Sequence, residues 1–117
     1  MDIFIKGKNH KLCVYTNNNP VILKEEKDKS DNQCEWLTLV EAMLYISKKS
    51  DISECTIHTD SVLLYRQLTG VYRIKSKNLK PIYFQWNKLK NELRERTILY
   101  AYCEKTDNPA RGYVNEN

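Results

Sequence analysis

The spacing of apolar residues switches repeatedly between a period of two and a period near 3.6, and the order of the switches limits the folds open to this chain. Residues 3–6 (IFIK) and 11–16 (KLCVYT) read as short strands. The cluster Asn17-Asn18-Asn19-Pro20 predicts a turn into a third strand, 21–25 (VILKE). After a polar loop at 26–33, Leu37, Val40, Ala42, Leu44 and Tyr45 recur at helical spacing across 34–48. A strand follows at 54–59 (ECTIHT), and Asp60-Ser61 can cap a helix that runs to about Leu68 and stops at Gly70. Pro81 suits the first turn of a longer helix reaching about Arg96, and 97–103 (TILYAYC) supplies a last strand. Three strands in a meander, then helix, strand, helix, helix and strand, predict an α/β domain. Its five-stranded sheet is mixed, an antiparallel meander plus two parallel strands, with flanking helices.

A chain of 117 residues with 41% hydrophobic content has enough apolar material for one core, so residues 1–117 read as one domain. The opening MDIFIKGKNHK has no signal-peptide pattern, and no stretch has the apolar length of a membrane span. The expectation is a soluble, cytoplasmic protein without membrane association. Cys13, Cys34, Cys55 and Cys103 lack zinc-site spacing and read as free, mostly buried thiols. The net charge of +4 is concentrated, because residues 66–96 hold nine lysines and arginines against two glutamates. Interleaved with Tyr72, Tyr83, Phe84 and Trp86, that segment suits a phosphate backbone; it suits equally a solvated helix face with aromatics turned inward. Trp36, Tyr83, Phe84 and Trp86 are expected to pack in the core.

The stretches CEWLTLVEAMLYI and HTDSVLLYRQLTGVYRIKSKNLKPIY resemble the type 1 ribonuclease H family, especially its compact forms without a basic protrusion. The likeness spans nearly the whole chain and implies the same strand order. It places Glu35 at the position of the family's metal-binding glutamate and Asp60 at its second aspartate, followed by the family-like Ser61, Gln67, Leu68, Gly70, Tyr72 and Lys75. It implies that Tyr72, Lys75, Lys77 and Lys80 approach a nucleic-acid backbone.

The sequence departs from that pattern at the acids. Where the family's first strand ends in aspartate before glycine, this chain has Phe4-Ile5-Lys6-Gly7, and the run Asn108-Pro109-Ala110 is followed by Arg111 in place of the last catalytic aspartate. The loop between the first two strands is cut to Gly7-Lys8-Asn9-His10. Asp2 shares a strand face with Lys6 but sits roughly 13 Å away, too far to replace the missing acid. Glu104 and Asp107 lie near the fourth position, outside the motif. Two-metal phosphodiester cleavage needs a carboxylate bridging two divalent ions about 4 Å apart. With Lys6 and Arg111 in place of two acids, Glu35 and Asp60 remain the sole candidate catalytic or metal-binding residues, and Lys6 is expected to stabilise them as a cation would. His58 is expected to be buried or hydrogen-bonded, and His10 exposed.

Three functions follow. One is an inactive or very weak module binding RNA/DNA hybrid or double-stranded RNA, with no cofactor. Another is an active hybrid ribonuclease with an altered site using magnesium or manganese. The third is a protein-interaction module on the same fold.

Overall fold

The computed structural model describes residues 1–114; the part of the polar tail at 115–117 lies outside the described residues. Strands β1 (Asp2–Lys8), β2 (Lys11–Thr16) and β3 (Asn19–Glu25) form the meander, followed by helix α1 (Asp31–Ser47), strand β4 (Glu54–Thr59), helices α2 (Val62–Leu68) and α3 (Lys80–Glu92), and strand β5 (Thr97–Tyr102). Short 3-10 turns cover Lys105–Asp107 and Pro109–Tyr113. The sheet order is β3-β2-β1-β4-β5. β1 pairs antiparallel with β2 and parallel with β4, and β4 pairs parallel with β5. The expected mixed sheet is therefore the observed one.

The hairpin turns are tighter than the sequence suggests. Gly7 and Lys8 belong to β1, so the first turn is Asn9-His10 alone, with φ of 52° and 64°. Asn17-Asn18 repeats that geometry at 54° and 66°. Two consecutive left-handed residues match the right-handed twist of a hairpin, and asparagine tolerates that region better than most residues. Pro20 is not part of the turn. It lies in the edge strand β3 opposite Tyr15, where the register shifts between Val14 and Tyr15, a place where a missing N–H is tolerated.

Helix α1 carries the core. Ser30 caps it, and a reciprocal hydrogen bond from the Ser30 backbone to the Gln33 side chain completes a capping box, extending the helix three residues ahead of its first apolar position. Trp36, Leu39, Met43 and Ile46 are fully buried beneath Ile3, Ile5 and Ile57 of the sheet. The buried Trp36 indole donates to Gln67 Oε1 at 2.8 Å, which ties α1 to α2. Helix α3 adds Ile82, Trp86 and Leu89, and ends at Glu92, four residues before the expected Arg96. Arg96 instead donates to the carbonyls of Ile46 and Lys49 at the end of α1, where a cation complements the helix dipole.

Candidate functional site

The site lies where β1, α1, β4 and the 3-10 turns meet, and the closeness of β1 to α1 depends on Gly7. A Cβ at Gly7 would stand 2.3 Å from the carbonyl carbon and oxygen of Cys34, so only glycine lets the first turn of α1 rest on the strand. That contact places Glu35 directly over the end of β1. Its Oε1 accepts from the Gly7 backbone N–H at 2.8 Å.

Lys6 sits between the two acids. Its ammonium donates to Glu35 Oε2 and to Asp60 Oδ1, both at 2.7 Å, and all three residues are buried. Asp60 follows β4, and its Oδ2 accepts from Asn108 Nδ2 at 3.2 Å and from Arg111 at 3.5 Å. The Asn108 side chain also donates to the Ile5 carbonyl at 3.0 Å and accepts from Ala110 N–H, pinning the 3-10 turn to β1. The structure thus brings Lys6, Glu35, Asp60 and Arg111 together. Asn108, which the sequence presents only within the run Asn108-Pro109-Ala110, is a buried strut of the cluster.

The charges explain how the acids are held. Burial disfavours the Lys6 ammonium, yet the attraction of Glu35 and hydrogen bonds to both acids outweigh it, so the Lys6 pKa stands above the ordinary lysine value. Burial pushes Glu35 up to about 7, against the attraction and hydrogen bond of Lys6 and the Gly7 amide. The two directions are compatible. One ammonium shared by two buried acids leaves an excess negative charge, which Arg111 meets only from 3.5 Å.

A divalent pair does not fit this donor set. The space between Glu35 and Asp60 is filled by the Lys6 ammonium, within hydrogen-bond distance of both acids. Among the described residues no three His, Cys, Asp or Glu side chains are grouped so as to hold a metal ion. Glu104 and Asp107 are exposed on their 3-10 segment, and Lys105 and Arg111 line the depression over the cluster in their place. His58 takes no part: its ring stacks on Phe4 and bonds Asp2 Oδ1 at 2.8 Å. His10 is exposed, 3.3 Å from the Glu26 carbonyl.

A second feature lies at the other end of α2. Tyr72, Lys75 and Lys80 line an open groove of about 680 Å³ together with Arg73, Tyr83 and Phe84. Lys77 is exposed but outside this lining. Arg66 lies over the Tyr72 ring, 5.4 Å from its centroid, and donates to its hydroxyl at 2.6 Å. Of the aromatics expected in the core, Trp36 and Trp86 are buried and Tyr83 is half-buried, but Phe84 is 63% exposed and faces the groove. The exposure of Phe84 has a simple cause. Ile82, Trp86 and Leu89 define the buried stripe of α3, and Phe84, two residues from either of the first two, falls on the opposite side. That spacing was available in the sequence.

Neither a protein-family model nor a characterised protein matches the sequence. Solved structures do match in shape, and they define a ribonuclease H-like fold. LC11-RNase H1 in complex with RNA/DNA hybrid superimposes with a TM-score of 0.72 at 21% identity, covering 97% of this chain and 93% of that one. The N-terminal RNase H domain of a Mycobacterium tuberculosis protein gives 0.71 at 18% identity, over 97% and 91%. RNase H1 from the halophilic archaeon Halobacterium salinarum gives 0.67 at 15% identity, over 93% and 89%. No helix among the described residues is long and apolar enough to cross a membrane.

Proposed function

We propose that this chain is a ribonuclease H-like module that binds nucleic acid, RNA/DNA hybrid first and double-stranded RNA second, without metal-dependent cleavage. The observation that carries the reading is the Lys6 ammonium, 2.7 Å from each of the two acids that a metal would need. A covalently attached cation there satisfies the acids and occupies the bridging position. The basic groove at Tyr72, Lys75 and Lys80 supports the binding half of the reading, since A-like helices are recognised largely through phosphate and 2′-hydroxyl contacts. The neighbour bound to RNA/DNA hybrid makes that the first ligand to try.

The test measures hybrid binding, hybrid cleavage and thermal stability, with magnesium and with chelator. Expected are binding in both conditions, no cleavage above background and a melting temperature indifferent to magnesium, because a ligand stabilises only in proportion to its occupancy. A magnesium-induced rise in the wild-type melting temperature would favour the altered-site nuclease. Lys6→Asp combined with Arg111→Asp supplies the positive control: its four acids repel, so stability falls without metal and recovers with magnesium. Binding should need no cofactor.

A further inference from the structure

The depression above the Lys6 cluster encloses about 310 Å³ and is lined by four cations, Lys6, Lys8, Lys105 and Arg111, and three acids, Asp31, Glu35 and Asp60. Its acids are already engaged. Both oxygens of Glu35 accept hydrogen bonds, from Gly7 and Lys6, and both of Asp60 do, from Lys6, Asn108 and Arg111. Asp31, on the rim, accepts from the Asn9 backbone N–H at 3.0 Å.

The cations retain donors. An ammonium carries three N–H groups, and Lys6, buried at 6% exposure, uses two of them on the acids. A guanidinium carries five, and among the described residues Arg111 makes one side-chain contact, at 3.5 Å. Among the described residues Lys8 and Lys105 enter no side-chain ion pair, and both line the depression. The inner four charges cancel, and the rim adds two lysines against one aspartate. The depression therefore has surplus donors, a net positive rim and no idle oxygen on Glu35 or Asp60.

We infer that this depression binds a phosphate oxyanion directly, through Arg111, Lys105, Lys8 and the remaining Lys6 N–H, with no divalent ion between protein and phosphate. The inference rests on the nucleic-acid reading for its physiological source and deepens it: the cluster becomes a phosphate anchor separate from the basic groove. α2 connects the two, with Ser61 and Val62 at the anchor and Gln67 and Gly70 at the groove. Its seven residues span about 10 Å of helical rise, within reach of one duplex. Arginine suits this role because its planar fork can hold two oxygens of one phosphate.

The same oxyanion could belong to a nucleic-acid backbone or to free phosphate, so the experiment has two arms. In chelator, inorganic phosphate and a short RNA/DNA hybrid are titrated separately while NMR follows the Gly7 and Lys8 amides and the Arg111 guanidinium. Both ligands should shift these signals, and Lys105→Gln with Arg111→Gln should weaken phosphate binding about tenfold. Lys105→Gln alone, on an exposed turn, guards against loss of the fold and should weaken it less. Shifts with phosphate but not hybrid keep the anchor and assign it free phosphate. If hybrid binds yet these signals stay still with both ligands, the anchor is overturned and the groove reading stands. If hybrid fails to bind at all, the nucleic-acid reading falls, while the phosphate arm still decides the anchor. Undiminished phosphate affinity in the double variant also overturns the proposal.

Discussion

Lys6→Met would leave Glu35 and Asp60 buried without their shared partner. Breaking a buried ion pair from one side costs about 3–5 kcal/mol, so denaturant unfolding near pH 8 should register a loss of that order. The loss should shrink in acid, where the carboxyls can take up protons. Glu35 gives the sign of a second prediction. Its folded pKa, about 7, exceeds its ordinary value of 4.5, so the folded state holds the extra proton between those limits. Its stabilising contribution is fully present below pH 4.5 and is lost as pH rises through 7. Wild-type protein should therefore lose stability relative to Glu35→Gln across that window, and a constant difference would contradict the assignment. Lys6 acts elsewhere: with its pKa raised, its contribution persists below 10.5 and is lost only above, as the pH passes its folded value.

At the scale of elements, the contact between β1 and α1 is the critical one, and it tolerates no side chain at Gly7. Gly7→Ala would force α1 away from the strand, with a cost at or above the 1–3 kcal/mol of ordinary overpacking. A melting temperature within a degree or so of wild type would show that α1 can move freely. Here the sequence was informative to different depths. The strand order and helix α1 could be read because apolar period and turn residues agreed. That Lys6, Glu35 and Asp60 meet could be expected because Lys6 and Glu35 lie on β1 and α1 and Asp60 directly follows β4, each beside motif residues. The end of α3 is not legible in the sequence: residues 93–96 (LRER) contain no helix breaker, and beyond Glu92 the chain leaves the helix where Arg96 reaches the carbonyls at the end of α1, a tertiary contact. Lys105 gave no signal either, since nothing in its neighbours marks a 3-10 turn that brings it to the depression.

At the scale of the whole molecule, the basic segment divides. Arg96 serves the end of α1, Lys90 lies over the Trp86 ring at 5.2 Å from its centroid, and Arg66 braces Tyr72, while Arg73, Lys75 and Lys80 face the groove. Composition could not sort these, because it counts charges without assigning them faces. Replacing Lys75, Lys77 and Lys80 by glutamine should lower the logarithmic salt slope of hybrid binding by about 0.9 for each lost phosphate contact on a B-DNA scale. With Lys77 outside the groove, Lys75 and Lys80 should account for most of the change. An unchanged slope would remove these lysines from the interface.

The four free cysteines also record how the molecule opens. Cys13 lies in the cluster with Ala110 and Val114, Cys34 against Gly7, and Cys55 within the main core, whereas Cys103 is half-buried. Burial holds each thiol above its ordinary pKa, so a folded molecule presents little thiolate to an alkylating reagent. Labelling of the three buried thiols must then await local or global opening, and each marks a different layer. Single-cysteine variants should react in sequence, Cys103 first and Cys55 at the pace of global unfolding. Cys34 should accelerate selectively in Lys6→Met if loss of the shared ammonium loosens the α1 contact before the rest of the core. Equal labelling rates at all four positions would indicate that the chain opens only as a whole.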